Sequence, residues 1–243
     1  MRRPVLILAA IAFTVSAAAV ALASTYADLI RSQESGGNYG VLNTGGGTAA
    51  GAYQITAGTL ESLGYVSHTG GSRGSWANYV WTAQAQAAGV SSLDGFLNSS
   101  AGHSLQDRAF SELTSSNLAS LSSATRGLIG QTVGGVAITE SGLLTAAHFL
   151  GAGALNDWVA SGFDPTVFPP EYLTANGFSS YDELQTHLLN RMGAASGTQY
   201  AGGLGTGGIY DQTAGFPGLG AKRPILIHET PPFQGERTTL GGG

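Results

Sequence analysis

Apolar residues recur at helical spacing soon after the N-terminal region of the chain. Over residues 25–33, Tyr26 and Ile30 stand one helical turn apart, and the same stripe continues to Glu34. Ser35 follows and is itself followed by two glycines, a combination that ends a helix. The pattern therefore predicts a helix whose inward stripe carries a carboxylate in its last turn.

Further stretches with helical spacing or helix-start signals follow along the chain. Residues 56–63 predict a short helix, and a longer helix carries an apolar stripe over residues 105–121. Residues 139–150 predict a helix with Thr139 as N-cap and Gly151 at its end, and a short helix follows over residues 155–159. The SYDE stretch at residues 180–183 is a capping-box pattern for a last helix through Met192. Strand signals are few, and GVAI at residues 135–138 is the best of them. We therefore predict a mainly α fold with few or no strands.

The first 23 residues have the order of a secretory signal peptide. Arg2 and Arg3 precede a long apolar run, and Ala21-Leu22-Ala23 supplies the small-residue pattern of a cleavage site. The alternative is a retained membrane anchor, because the apolar run is just long enough to span a bilayer. The small-residue ending favours cleavage, and we expect a periplasmic or secreted bacterial protein.

Composition narrows the function classes. Without Arg2 and Arg3 the chain has 10 − 2 = 8 basic and 15 acidic residues, a net charge of 8 − 15 = −7. Such an acidic chain has no general attraction for nucleic acid, so we expect no nucleic-acid partner. The absence of cysteine excludes disulfides, a thiol nucleophile and a Cys-ligated metal.

The composition also changes along the chain, near Met192. We predict one globular domain over residues 24–192 and a flexible tail rich in Gly, Thr and Pro over residues 193–243. The apolar PILIHE stretch at residues 224–229 is either an isolated strand, a docking peptide or an apolar spot within the tail.

Glu34 is the first candidate for chemistry. The C-terminal end of a helix is the negative end of its dipole, which disfavours a carboxylate and raises its pKa. Partial burial against apolar neighbours raises the pKa further, and a carboxyl group that stays protonated can act as a general acid. Ser35 can either hydrogen-bond this carboxyl group or cap the chain reversal. The alternative for Glu34 is an exposed residue at a frayed helix end.

The segment after Glu34 favours a ligand-binding cleft over a plain surface loop. Glycines at 45–47 and Gly51 allow the backbone to approach a ligand closely. Tyr53 offers a face for a sugar ring, and the Gln54 amide offers both a donor and an acceptor.

Three elements in this order resemble the lytic transglycosylases of the lysozyme-like superfamily. They are Glu34-Ser35, the GAYQI stretch at residues 51–55, and the AAHFLGAGA stretch at residues 146–154. In the third element, His148 stands where the family usually has Tyr. The LQDRAF stretch at residues 105–110 and the long pattern around AITESGLLTAAHFL are similar to a phage- and secretion-associated subgroup.

The resemblance implies a lysozyme-like fold and a catalytic domain that cleaves the β-1,4 bond between N-acetylmuramic acid and N-acetylglucosamine in peptidoglycan. Glu34 would act first as acid and then as base, and attack by the C6 hydroxyl would give a 1,6-anhydro product without metal or cofactor. Ser35, Tyr53, Gln54 and His148 are the implied substrate-binding residues, although His148 also fits a core position. The implied partners are glycan strands and a secretion or conjugation machinery, reached through residues 193–243.

Two alternative functions stay open at this stage. One is a hydrolytic muramidase of the same fold, and the other is a non-catalytic glycan-binding component of a secretion or conjugation apparatus. Ordinary glycosidases use two carboxylates. The candidates for a second one each fit a solvated helix face: Glu61, Asp107, Glu112 and Glu140.

Other polar and aromatic residues carry weaker signals. Three aromatic residues fit either a sugar platform or, more readily, the core: Trp76, Tyr79 and Trp81. The remaining histidines show no spacing with acids that indicates a metal site: His68, His103, His187 and His228.

Overall fold

The structure is a computed structural model that describes the backbone of residues 16–200 and the side chains of residues 26–200. Most of the predicted signal peptide and of the predicted tail, including residues 224–229, lies outside the described residues.

The described residues form a mainly helical fold, which confirms the predicted fold class. Residues 16–200 contain ten α-helices: α1 Ser16–Ser35, α2 Ala57–Ser62, α3 Ala83–Ala87, α4 Leu93–Asn98, α5 Ser100–Ser120, α6 Ser123–Arg126, α7 Glu140–Leu150, α8 Ala152–Ala160, α9 Pro170–Asn176 and α10 Tyr181–Ala194. They also contain two antiparallel hairpins, which pair β1 Val66–His68 with β2 Tyr79–Trp81 and β3 Thr132–Val133 with β4 Val136–Ala137. The second hairpin contains the predicted GVAI strand, whereas the first was not predicted.

Helix α7 lies at the centre of this fold. Every residue from Ser141 to Ala147 is buried, and so is Leu150. A helix that is buried on nearly all sides needs neighbours on each of them, and α5, α8 and α10 pack against α7. A Cβ on Gly142 would lie 3.1 Å from the Met192 carbonyl oxygen, so this glycine permits the close approach of α10. The last turn of α10 is thereby held against α7.

The predicted helix starts have the expected local chemistry. The Thr139 hydroxyl accepts from the Gly142 N–H at 3.0 Å, and Ser180 accepts from the Glu183 N–H at 3.2 Å. The predicted capping box is only half formed, however. The Glu183 carboxylate accepts from the Ser179 N–H at 2.8 Å and from its hydroxyl at 2.6 Å, rather than from Ser180.

Helix α1 begins at Ser16, on the N-terminal side of the predicted cleavage site, and ends as predicted at a glycine pair. Gly36 and Gly37 have φ values of 64° and 85°, which glycine adopts without steric cost. The Gly37 N–H donates to the Arg31 carbonyl at 3.0 Å and satisfies the end of the helix. Glu34 therefore sits in the last turn of α1, before a sharp reversal of the chain.

The predicted boundary between domain and tail at residue 193 is wrong by several residues. Helix α10 continues to Ala194, and Ala195 is fully buried. The Ser141 hydroxyl donates to the Thr198 carbonyl at 2.9 Å, and the Tyr200 ring meets the Tyr26 ring edge-on at 5.7 Å. The segment of residues 195–200 thus belongs to the folded body.

The aromatic residues of the first hairpin pack against one another. Trp76 and Trp81 stack with ring centroids 6.0 Å apart, and Trp81 also contacts buried Phe96 at 5.3 Å. Tyr79 is buried, in keeping with the core role that the sequence favours. Within residues 16–200, no helix combines the length and the apolar character that crossing a membrane requires.

Candidate functional site

The Glu34 carboxylate lies in an enclosure made by three helices. Its side chain is 18% exposed, and it forms an ion pair with Arg191 in the last turn of α10. The Nε2 atom of His148, on α7, lies 4.0 Å from Glu34 Oε1. The frayed, exposed helix end considered from the sequence is therefore wrong, because Glu34 is partly buried and paired.

Arg191 is the residue of this site that the sequence analysis missed. Its side chain is 12% exposed, and its guanidinium lies 5.1 Å from the centre of the Phe149 ring. Leu184 and Leu188 are buried on α10, and Arg191 continues their stripe at the next helical position. That spacing is the sequence signal from which the inward position of Arg191 could have been predicted.

The ion pair was not part of the expectation for Glu34. The helix end and the apolar stripe, on which that expectation relied, are local features of α1, whereas Arg191 comes from α10. The Glu34 carboxyl group therefore lies against a guanidinium that the sequence pattern around it did not indicate.

His148 lines the site with a buried, neutral imidazole ring. Burial lowers the pKa of His148 below its ordinary 6.5; the Glu34 carboxylate opposes this effect and Arg191 adds to it. The neutral ring places Nε2 3.1 Å from the Tyr53 carbonyl oxygen, to which an Nε2–H can donate. Its Nδ1 is buried and has no hydrogen-bond partner among the described residues. His148 thus joins α7 to the loop beside Glu34.

Ser35 caps the chain reversal and does not bind the carboxyl group. Its hydroxyl lies 2.9 Å from the Ala52 carbonyl oxygen and 3.1 Å from the Arg31 carbonyl oxygen. Since both atoms are acceptors, Ser35 donates to one of them at a time. The contact with Ala52 ties the end of α1, next to Glu34, to the GAYQI stretch.

The prediction of Tyr53 as an open face for a sugar is wrong. Tyr53 is 2% exposed, and its ring lies parallel to the Phe110 ring at 4.1 Å. Its hydroxyl donates to Asp107 at 2.8 Å. The Arg31 guanidinium also lies over this ring, 5.9 Å from its centre, so what Tyr53 contributes to the site is its backbone carbonyl.

Gln54 stays half-buried beside the site, and its side chain shapes the turn. Its φ is 48°, an uncommon value for a residue other than glycine. The Nε2 atom donates to the Gly51 carbonyl at 2.9 Å. The amide donor that the sequence assigned to a sugar is used here to hold the loop. The glycines at 45–47 lie exposed at the far end of this loop.

The other candidate carboxylates have partners elsewhere. Glu61 forms an ion pair with Arg73 at 2.6 Å, and both Glu112 oxygens lie 3.0 Å from the Tyr65 hydroxyl. Burial raises the pKa of Glu112. Glu61 and Glu112 are thus paired and only partly exposed, so neither lies on a fully solvated helix face. Asp107 is half exposed but accepts from two tyrosine hydroxyls, and Glu140 lies in the first turn of α7.

No three His, Asp or Glu side chains come together as a metal site in the part of the chain that the structure describes. No protein-family model, curated protein or solved structure matches the chain. The candidate site is thus defined by Glu34, Arg191, His148 and the loop that Ser35 ties to α1.

Proposed function

We propose that this chain is a peptidoglycan lytic transglycosylase in which Glu34 serves as acid and then as base. The observation that supports the proposal most is the position of Glu34. An 18% exposed carboxylate ends α1, next to a backbone loop and between two further helices. The resemblance of the Glu34-Ser35, GAYQI and AAHFLGAGA stretches supplies the substrate class.

The proposed reaction uses one carboxyl group twice. Protonated Glu34 gives its proton to the glycosidic oxygen, the bond from that oxygen to C1 of N-acetylmuramic acid breaks, and N-acetylglucosamine leaves as an alcohol. The substrate's N-acetyl group stabilises the cation at C1. The Glu34 carboxylate then takes the proton of the C6 hydroxyl while the C6 oxygen bonds to C1, which gives the 1,6-anhydro ring. The pairing of Glu61 and Glu112 with other residues favours this route over a two-carboxylate one.

Arg191 sets a condition on this mechanism. Glu34 must face the glycosidic oxygen to act as an acid, whereas its Oε1 atom is in contact with the Arg191 guanidinium in this structure. The proposal therefore requires glycan binding to loosen the Glu34–Arg191 pair. After proton transfer the same cation stabilises the carboxylate that forms.

The deciding experiment is Glu34→Gln assayed on purified peptidoglycan. We expect the release of soluble fragments to fall by at least about 100-fold, because a general acid contributes at least that much to the rate. Glu171→Gln, an exposed acid on α9, is the matched control and should leave the rate unchanged. Mass spectrometry of the fragments distinguishes the two possible activities, since anhydro ends indicate a transglycosylase and reducing ends indicate a muramidase. Undiminished release by the Glu34→Gln variant would refute the assignment.

A second candidate function is supported by the same ion pair. Glu34 paired with Arg191 and Tyr53 buried against Phe110 suit a fold that binds glycan without cleaving it. Such a component of a secretion or conjugation apparatus would sediment with insoluble peptidoglycan and release no fragments. Sedimentation of the wild-type chain, measured in parallel with fragment release, distinguishes this candidate.

A further inference from the structure

Gln106, on α5, is a buried side chain whose amide joins three separate segments. It is 1% exposed. Its Oε1 accepts from the Ala52 N–H at 2.7 Å, and its Nε2 donates to the Phe96 carbonyl at 2.7 Å and to the Tyr39 carbonyl at 3.2 Å. Both amide hydrogens and the carbonyl oxygen of this side chain are thus used, which is what a buried amide requires.

Gly51 is shaped to fit this amide. A Cβ at position 51 would lie 2.1 Å from Gln106 Oε1 and 2.5 Å from its Cδ. The φ of Gly51 is 79°, so any other residue would be strained there as well. The next residue on α5, Asp107, accepts from the hydroxyls of Tyr39 at 2.7 Å and Tyr53 at 2.8 Å. Both ends of the loop over residues 39–53 are therefore fastened to α5.

The contacts continue from Gln106 to the candidate site. Gln106 holds the N–H of Ala52, and the Ser35 hydroxyl, next to Glu34, contacts the Ala52 carbonyl at 2.9 Å. The following carbonyl, that of Tyr53, accepts from His148 Nε2 at 3.1 Å. A single stretch of two residues thus links α5, the end of α1 and α7.

We propose that Gln106 is a positioning residue that sets where Glu34 and His148 lie relative to each other. It touches neither of them and acts through the Ala52–Tyr53 backbone. Loss of its amide frees the Ala52 N–H, and the two carbonyls that anchor Ser35 and His148 shift with it. The catalytic consequence rests on the proposed function, whereas the structural consequence for His148 does not.

Gln106→Met tests the proposal, because it keeps the volume of the side chain and removes its hydrogen bonds. The control is Thr114→Val, a buried polar residue on the same helix whose hydroxyl donates within α5, to the Phe110 carbonyl. We expect kcat for fragment release to fall about 10- to 100-fold in Gln106→Met with KM little changed, since small displacements of reacting groups have effects of this size. Thr114→Val should lower stability without this loss of kcat.

A second measurement does not depend on activity. The hydrogen-bonded Nε2–H of buried His148 is shielded from exchange with water, and nitrogen NMR of the labelled histidine rings follows it directly. The signal of this Nε2–H should be observed in the wild-type chain and in Thr114→Val. In Gln106→Met the signal should shift, or be lost because the proton exchanges with water. His148→Gln assigns the signal. If Gln106→Met does not fold, Ser35→Ala cuts the same chain of contacts at the Ala52 carbonyl and should move the His148 signal likewise.

The outcomes separate the two proposals. A His148 signal unchanged in Gln106→Met, or in Ser35→Ala where that variant is used, overturns the positioning role. So does a kcat loss that Thr114→Val shares. If the wild-type chain releases no fragments while the His148 signal still depends on Gln106, the proposed function fails and the positioning role stands.

Discussion

Glu34 and Arg191 show what a local pattern can and cannot predict for a single residue. The spacing of Tyr26, Ile30 and Glu34 placed the carboxylate correctly on an inward stripe, because helical geometry is local. Its counter-ion comes from α10, and no local rule connects the two. Tyr53 was misassigned for the same reason, since Phe110, whose ring covers it, lies on α5 and is far from Tyr53 along the chain.

Arg191→Met tests the ion pair at the residue scale. The variant leaves a partly buried carboxylate without its cation, and we expect the free energy of unfolding to fall by roughly 3 kcal/mol. Urea denaturation at neutral pH measures the loss. Arg108→Met, at an exposed position of α5, is the control and should change stability by less than about 0.5 kcal/mol. Equal stabilities of the two variants would show that the pair contributes little to folding.

At the scale of elements, the sequence predicted best where the signal is a helix end. Thr56, Thr139 and Ser180 all cap the predicted helices, because capping depends on neighbouring residues alone. The hairpin of β1 and β2 was missed because each strand has only three residues and a glycine-rich loop separates them. The end of the domain was predicted several residues too early because the small and polar residues at 193–199 have the composition of a linker.

The segment of residues 195–200 carries the element-scale prediction. A chain ending at Met192 lacks buried Ala195, the bond from Ser141 to Thr198, and the contact of Tyr200 with Tyr26. We expect it to be about 2 kcal/mol less stable than a chain ending at Tyr200, which lowers Tm by roughly 4–8 °C. Calorimetry of the two chains measures the difference, and identical Tm values would contradict the docking of this segment.

The chain ending at Tyr200 also tests the proposed partner. If residues 201–243 dock onto a secretion or conjugation machinery, affinity capture from envelope extracts should recover its components with the full chain and not with the shortened one. The same components captured by both chains would count against a docking role.

At the scale of the whole molecule, His148, whose side chain is 8% exposed, and half-buried His187 give the fold a dependence on pH. Burial lowers the pKa of His148, and it also lowers the pKa of His187, where Arg191 adds to the effect and Glu34 opposes it. In the unfolded chain both rings take up protons near the ordinary pKa of 6.5. Their stabilising contribution is therefore fully present above pH 6.5 and is lost as the pH falls below it.

We expect the free energy of unfolding to decrease between pH 7.5 and pH 5.5, with a slope of up to about 1.4 kcal/mol per pH unit for each proton taken up. Urea denaturation at several pH values measures this slope. In His148→Gln the slope should be smaller, because one of the two groups is gone. A slope that is the same in the variant and the wild-type chain would show that His148 is not the source.

The distance along the chain between Glu34 and Arg191 has a consequence for biogenesis. The two residues are 157 positions apart, and a polypeptide is made from its N-terminus. A ribosome releases Glu34 early and Arg191 only after nearly all of the described body has been made. A chain interrupted before α10 therefore carries the carboxylate without its cation, and without the helix that covers α7. Assembly of the site therefore waits until α10 has been made, so products that are truncated before α10 carry Glu34 without an assembled site around it.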